Sequence, residues 1–254
     1  MHVRVLGCSG GIGAGLRTTA FLVDDDVLVD AGTGVGDLAA PGLRGIRHVF
    51  VTHAHLDHVA SIPLLVDLLF DELSEPLVVH AQQATIDALR AHIFNDVIWP
   101  DFSVLPNGDH PVLQFDPMEP GETRRIGERT FESIAVAHTV PTVGYRCGDA
   151  TSAFCFSGDT STNDTLWPAL NRSAGLDMLI VEVGFPDREA AMAQRACHYS
   201  PRLLAADLAK LEHRPRIAVT HLKPGHEAQT MDELAHLLPG YELHRLQGDE
   251  AFTL

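Results

Sequence analysis

Apolar runs and turn-forming residues alternate along the chain so that strands and helices are predicted in both halves. Residues 1–7 read as a first strand, and residues 18–24 and 27–31, set either side of the acidic turn Asp24-Asp25-Asp26, predict a hairpin after it. The run His48-Val49-Phe50-Val51-Thr52 is a further strand. Ile62, Leu65, Val66 and Leu69 fall at i, i+3, i+4 and i+7, one face of an amphipathic helix. Leu77-Val78-Val79 has the composition of a buried strand, and residues 84–94 that of a helix. From Val112 onward β runs alternate with turns, and helices near 165–170, 201–211 and 228–238 separate the final strands. Such mixing predicts sheet layers covered outside by helices. With 254 residues, 45% of them hydrophobic, and neither a linker-like stretch nor a repeat, the chain reads as a single domain over residues 1–254.

Directly behind the strand at 48–52 stands His53-Ala-His55-Leu-Asp57-His58, three imidazoles and one carboxylate within six residues. These are ligand types suited to a borderline divalent ion such as zinc. Alternate side chains of an extended segment share a face, so His53 and His55 can converge on one ion while Asp57 and His58 follow the bend toward a second. Three further candidates each close a β-rich run: His138 after 131–137, Asp159 after 153–158, and His221 after 216–220. Strand ends are where sheet proteins place chemistry.

In that order, from His53 to the Thr220-His221-Leu222-Lys223 segment, the residues resemble the metallo-β-lactamase superfamily over nearly the whole chain. The resemblance implies an α/β fold, the four-layer αβ/βα sandwich. It also implies two divalent metal ions, zinc by first choice with manganese or iron(II) as alternatives. His53, His55 and His138 would hold one, Asp57, His58 and His221 the other, and Asp159 would bridge. An aspartate at 159 rather than a cysteine argues against the di-zinc β-lactamases, and His55 in place of a carboxylate against the diiron oxygen-reducing branch.

Glu182, closing the run 178–181, and His198, in Cys197-His198-Tyr199-Ser200, resemble the acid-plus-histidine pair of the phosphodiesterase branch. Ser200-Pro201 is a strong helix start, an N-cap followed by a first-turn proline, so His198 precedes a helix whose free amides favour a nearby phosphate. Without the surrounding motif the pair reads equally well as a structural hydrogen bond. Within the branch, 52–60 and 138–145 look like the class II cyclic-nucleotide phosphodiesterases. The expectation is therefore a metallo-hydrolase that converts a 3′,5′-cyclic nucleotide such as cyclic AMP or cyclic GMP to the 5′-monophosphate, using a hydroxide shared by the two ions. Asp57, Glu182 and His198 would be its catalytic residues. One alternative is a ribonuclease Z-like tRNA 3′-processing endonuclease, which shares the ligands; its common bacterial form inserts an RNA-clasping arm between third histidine and bridging aspartate, where only 21 positions (159 − 138) are available here. The other alternative is a non-catalytic metal-containing ligand sensor.

A net charge of −16 argues against a partner as long as a nucleic acid, whose binding rests on many Lys and Arg contacts to phosphate, but hardly affects a small phosphodiester reaching a dimetal centre. Cys8, Cys147, Cys155 and Cys197 show no CxxC spacing and read mainly as packed thiols. No signal peptide and no run of about 20 apolar residues is visible, giving a cytoplasmic expectation without a membrane partner. The glycine-rich stretch 7–15 lacks both the G-x-G-x-x-G spacing and a Walker lysine, and reads as a tight loop packed near the site. Val29-Asp30-Ala31-Gly32 matches a structural turn of the superfamily. Phe94, Trp99 and Phe102 are assigned to core packing or a homodimer contact ahead of base stacking. The nine histidines outside this pattern are read as surface or helix residues.

Overall fold

The computed structural model describes residues 1–173 and 175–254. Six strands of the first half, β1 (His2–Gly7), β2 (Ala20–Val23), β3 (Val27–Val29), β4 (His48–Phe50), β5 (Leu77–Ala81) and β6 (Leu113–Pro117), lie in one sheet. A second sheet takes β7 (Thr123–Ile126), β8 (Arg129–Val136), β9 (Thr142–Gly148), β10 (Ala153–Phe156), β11 (Met178–Glu182), β12 (Arg216–Thr220) and β13 (Leu243–Arg245). The last strand, β14 (Ala251–Thr253), returns to pair antiparallel with β1. The orders are β14-β1-β2-β3-β4-β5-β6 and β7-β8-β9-β10-β11-β12-β13, and read in these directions each sheet has three antiparallel pairings followed by three parallel ones. This repetition of topology has no counterpart in the residues, which show no repeat.

Side-chain alternation builds the layers. Val3, Val5, Phe21, Val27 and Val29 point between the sheets, meeting Phe131, Tyr145, Phe156 and Ile180 of the other. Phe50 is stacked there between His80 and Phe131, with ring centroids 4.2 and 4.3 Å away. The intervening Leu28, Val49 and Val79 face outward onto Ile62, Leu65, Val66 and Leu69 of α3 (Ile62–Leu69) and Ile86 and Leu89 of α4 (Gln83–His92). On the opposite side Leu179, Val181, Ile217 and Val219 pack against α5 (Leu166–Arg172), α7 (Pro201–Leu208) and α8 (Glu227–Leu237). The result is helix, sheet, sheet, helix, the four-layer sandwich expected from the sequence. Each fully buried large side chain contributes roughly 1.5–3 kcal/mol relative to exposure.

Three short helices were not foreseen: α1 (Ala40–Gly45), α2 (Leu56–Val59) and α6 (Ala190–Ala196). They have too few turns to show a period. The helix expected over 84–94 stops at His92, where Asn95 and Asp96 amides turn back to the Trp99 carbonyl at 3.1 and 3.0 Å. Phe94 and Phe102 are buried in the outer core of the first sheet, with Trp99 packed against it, which agrees with the core reading. Because β8 and β10 each run antiparallel to β9, and β10 to β12 are parallel, the C-terminal ends of β8, β10, β11 and β12 meet at one edge. The segment following β4 joins that edge through Val143 N–H donating to the Thr52 carbonyl at 3.1 Å and Tyr145 OH donating to the Val51 carbonyl at 3.0 Å.

Candidate metal centre

His53, His138, Glu182, Asp159 and His221 sit at or just beyond such strand ends, His55, Asp57 and His58 follow on the turn into α2, and His198 enters from the segment between α6 and α7. His53, His55 and His138 have ligand nitrogens within 4.8 Å of one another, and Asp57, His58, Asp159 and His221 form a second group by the same measure. Asp159 stands between them. Its Oδ2 is 3.9 Å from His53 Nε2, 3.4 Å from His58 Nε2 and 3.3 Å from His221 Nε2. Asp57 approaches from α2, its Oδ2 3.8 Å from His58 Nε2 and 4.0 Å from His221 Nε2.

The neighbours of each ring fix which nitrogen faces inward. His58 Nδ1 is 2.6 Å from Asp30 Oδ2, His53 Nδ1 is 3.0 Å from Thr52 Oγ1, and His138 Nδ1 donates to the Cys197 carbonyl at 2.9 Å. That leaves His138 Nε2 facing His55 Nδ1 at 3.2 Å. Among the described residues, His53 Nε2, His58 Nε2 and Asp159 Oδ1 are buried without a hydrogen-bond partner. Buried polar atoms without partners are costly. Converging imidazole lone pairs and a carboxylate, with no thiolate among them, are the donor set of a divalent cation, so the residues fit two such ions.

Charge follows the same logic. Burial, reinforced by the His58 charge, pulls the His53 pKa well below its ordinary value, and burial takes His221 down to about 3, so both rings are neutral and free to donate lone pairs. Burial opposes protonation of His58 too, but Asp159 and Asp30 together hold its pKa well above the ordinary value. A bound cation would replace that proton. Burial works against an ionised Asp159, yet its pKa is held well below the ordinary value by the ring of imidazoles around it, of which protonated His58 supplies the full charge and a hydrogen bond.

Glu182 and His198 form the adjoining wall. Glu182 is fully buried at the end of β11, and its Oε1 accepts from His198 at Nδ1 (2.9 Å), from Thr160 N–H (3.0 Å) and from Tyr199 N–H (3.2 Å). With Nδ1 engaged, the other His198 nitrogen is turned toward the centre; His198, His138 and Asp159 form a further close group. Burial lowers the His198 pKa, but the Glu182 charge and hydrogen bond more than offset it, leaving the pKa raised. The helix start at Ser200-Pro201 stands where the sequence placed it, with one difference. Ser200 occupies the N-cap position of α7, but its side chain makes no cap bond and its hydroxyl is buried without a partner among the described residues.

Sequence reasoning missed the residues that orient the ligands. Asp30 was seen only as part of a turn; it is buried at φ 56°, accepts from Thr52 N–H and Oγ1 at 2.8 and 2.9 Å, and holds His58. Its signal was an acid closing an apolar strand beside β4. Gly32 follows because a Cβ there would lie 2.3 Å from the Asp57 carbonyl oxygen. The glycine-rich loop packs as expected: Cys8 O accepts from His221 N–H at 2.8 Å, and a Cβ on Gly10 would lie 2.4 Å from the His221 carbonyl oxygen.

A sequence family described as the beta-lactamase superfamily domain matches residues 25–234. A Yersinia pestis protein named as a probable 3′,5′-cyclic-nucleotide phosphodiesterase is 25% identical, over 88% of this chain and 78% of its own length. Ribonuclease Z of Haloferax volcanii is also 25% identical, over 90% of this chain and 86% of its own. The crystal structure of unliganded yeast PDE1 superposes with a TM-score of 0.82 at 19% identity, over 100% of this chain and 99% of that chain, a likeness of fold.

Proposed function

The chain belongs to the beta-lactamase superfamily, and from that premise we propose that it is a dinuclear-metal phosphodiesterase of a single domain that opens 3′,5′-cyclic AMP or cyclic GMP to the 5′-monophosphate. The observation that carries this reading is the buried Glu182–His198 contact of 2.9 Å set against the ligand groups. A proton-donating pair beside a two-cation site matches the needs of a phosphodiester, whose leaving oxygen must be protonated as charge builds on phosphate.

His53, His55 and His138 are assigned to one ion and Asp57, His58 and His221 to the other, with Asp159 shared; zinc suits this nitrogen and oxygen set. The ions, when bound, supply Lewis acidity that lowers the pKa of water and neutralises charge on phosphate oxygens. Asp57, partly exposed at the mouth, orients the attacking water. His198 gives the proton from Nε2 to the departing 3′ oxygen. Glu182 keeps the opposite nitrogen occupied, fixes the ring and stabilises its charged form. Asp30 does the same orienting service for His58.

The likeness to ribonuclease Z supports tRNA 3′ processing as a second reading. Against it, β9 and β10 occupy most of the stretch between His138 and Asp159, leaving no room there for an RNA-holding arm, and the net charge is −16. Metal-loaded protein should hydrolyse cyclic AMP or cyclic GMP to the 5′-monophosphate and leave precursor tRNA uncut, measured as kcat/KM on one preparation. Efficient cleavage of precursor tRNA with negligible cyclic-nucleotide turnover would overturn the assignment.

A further inference from the structure

The chain contains two lysines, and they are used differently. Lys210 is spent on the carboxylates of Asp207 and Asp164, at 2.7 and 2.9 Å. Lys223 has no carboxylate within 4.0 Å of its ammonium among the described residues. It lies two positions after His221, and its half-buried side chain makes one hydrogen bond, from Nζ to the Gly10 carbonyl at 2.8 Å. Gly10 abuts His221: a Cβ there would come within 3.1 Å of that ring's Cδ2. On its other side the ammonium is 5.8 Å from the centroid of the Phe185 ring, whose own centroid is 5.7 Å from His198. The rings of His198 and His221 in turn stack at 5.1 Å. Lys223 is therefore braced between the two segments that carry a proposed ligand and the proposed acid.

An unpaired ammonium is unusual for an acidic chain to hold in place. Gly10 O uses one of the three Nζ donors. The Phe185 face adds a weak cation–π attraction of about 0.5–1 kcal/mol and fixes the stem without neutralising the charge. A compact point charge with free donors is suited to phosphate oxygens.

We propose that Lys223 is a substrate-binding residue, its ammonium contacting a non-bridging phosphate oxygen of the phosphodiester and of the monophosphate product. The inference rests on the phosphodiesterase reading for the substrate but on geometry alone for the anion contact, so the two are tested apart. The probes are 5′-AMP and inorganic phosphate, titrated calorimetrically into metal-loaded protein, and bis(4-nitrophenyl) phosphate for turnover. Lys223→Gln keeps a donor for Gly10 without the charge, Lys223→Met removes both, and Lys223→Arg keeps the charge. Loss of one charge-assisted contact should weaken 5′-AMP binding and raise KM about 10- to 100-fold in the Gln and Met variants. Metal content and melting temperature should be unchanged in Lys223→Gln, and Lys223→Arg should recover most of the binding. The difference should persist at about 1 M salt, where the Debye length is near 3 Å and long-range attraction is screened.

Wild-type affinity for 5′-AMP and phosphate in Lys223→Gln would overturn the proposal, as would a loss that vanishes at high salt or a wild-type protein that binds neither probe. A loss of affinity tracking lost metal in both uncharged variants would make Lys223 a loop anchor instead, and also overturn it. If wild-type protein binds phosphate through Lys223 but turns over no phosphodiester, the functional reading fails while this one stands.

Discussion

His198 takes its orientation from a single oxygen of Glu182, which also receives two backbone amides. That economy makes the proposed acid separable from the metal ligands. His198→Ala should retain its metals and its fold while kcat falls roughly 10²- to 10⁴-fold on cyclic nucleotides. The loss should be much smaller on nitrophenyl esters, whose leaving groups need no proton; equal losses on both would point to phosphate positioning instead. The ligand candidates were legible in the residues because metal chemistry admits few side-chain types and the spacing of His53 to His58 is local. Asp30 and the Cys197 carbonyl were not, since what they do depends on which ring another segment brings within reach. A backbone carbonyl has no residue identity to read, and Asp30 in a turn is common for reasons unconnected with His58.

At the level of elements, the strand-end segments need something to hold them at a fixed height above the sheet. Asp207 of α7 does this for two of them. Its Oδ2 accepts from Tyr199 OH at 2.7 Å, Asn163 N–H at 3.0 Å and Trp167 Nε1 at 3.2 Å, and its Oδ1 pairs with Lys210. Tyr199 adjoins His198, and Asn163 lies four positions beyond Asp159. Asp207→Ala strands several buried donors at once, each costing roughly 1–3 kcal/mol, so chemical denaturation should show a loss of at least about 2 kcal/mol. The variant should also lose kcat more than KM, because the His198 segment loosens; a variant as stable as wild type would show that the clamp is dispensable. The periodic face of α3 and the Ser200-Pro201 start of α7 were readable, whereas one-turn α2 and the missing side-chain cap bond of Ser200 were not. Ser200 met the sequence rule for a cap and still left its hydroxyl buried and unused, because the extended segment before Pro201 is committed to placing His198 and Tyr199 on Glu182.

Across the whole molecule, the ligand set draws on both sheets. His53, His55, Asp57 and His58 follow β4 of the first, while His138, Asp159 and His221 follow β8, β10 and β12 of the second. Ions held between them would act as cross-links between two layers that otherwise meet mainly through the apolar interior of Phe21, Phe50, Phe131 and Phe156. Without cations, the centre instead confines the partnerless atoms His53 Nε2, His58 Nε2 and Asp159 Oδ1, an arrangement that works against the folded state. Binding to the native state alone adds about 4 kcal/mol when free metal is 1,000-fold above its dissociation constant. Removing metal with a chelator should therefore lower the melting temperature by several degrees, and zinc should restore it in proportion to the metal regained, approaching two equivalents per chain. Asp159→Ala should start from the lower temperature and respond little to either treatment, since it lacks the carboxylate between the two groups. Calorimetry on matched apo and zinc-loaded samples, with elemental analysis of each, decides the matter. Active wild-type protein holding a single tightly bound ion, or a melting temperature indifferent to the chelator, would remove the cross-linking role and the two-ion centre with it.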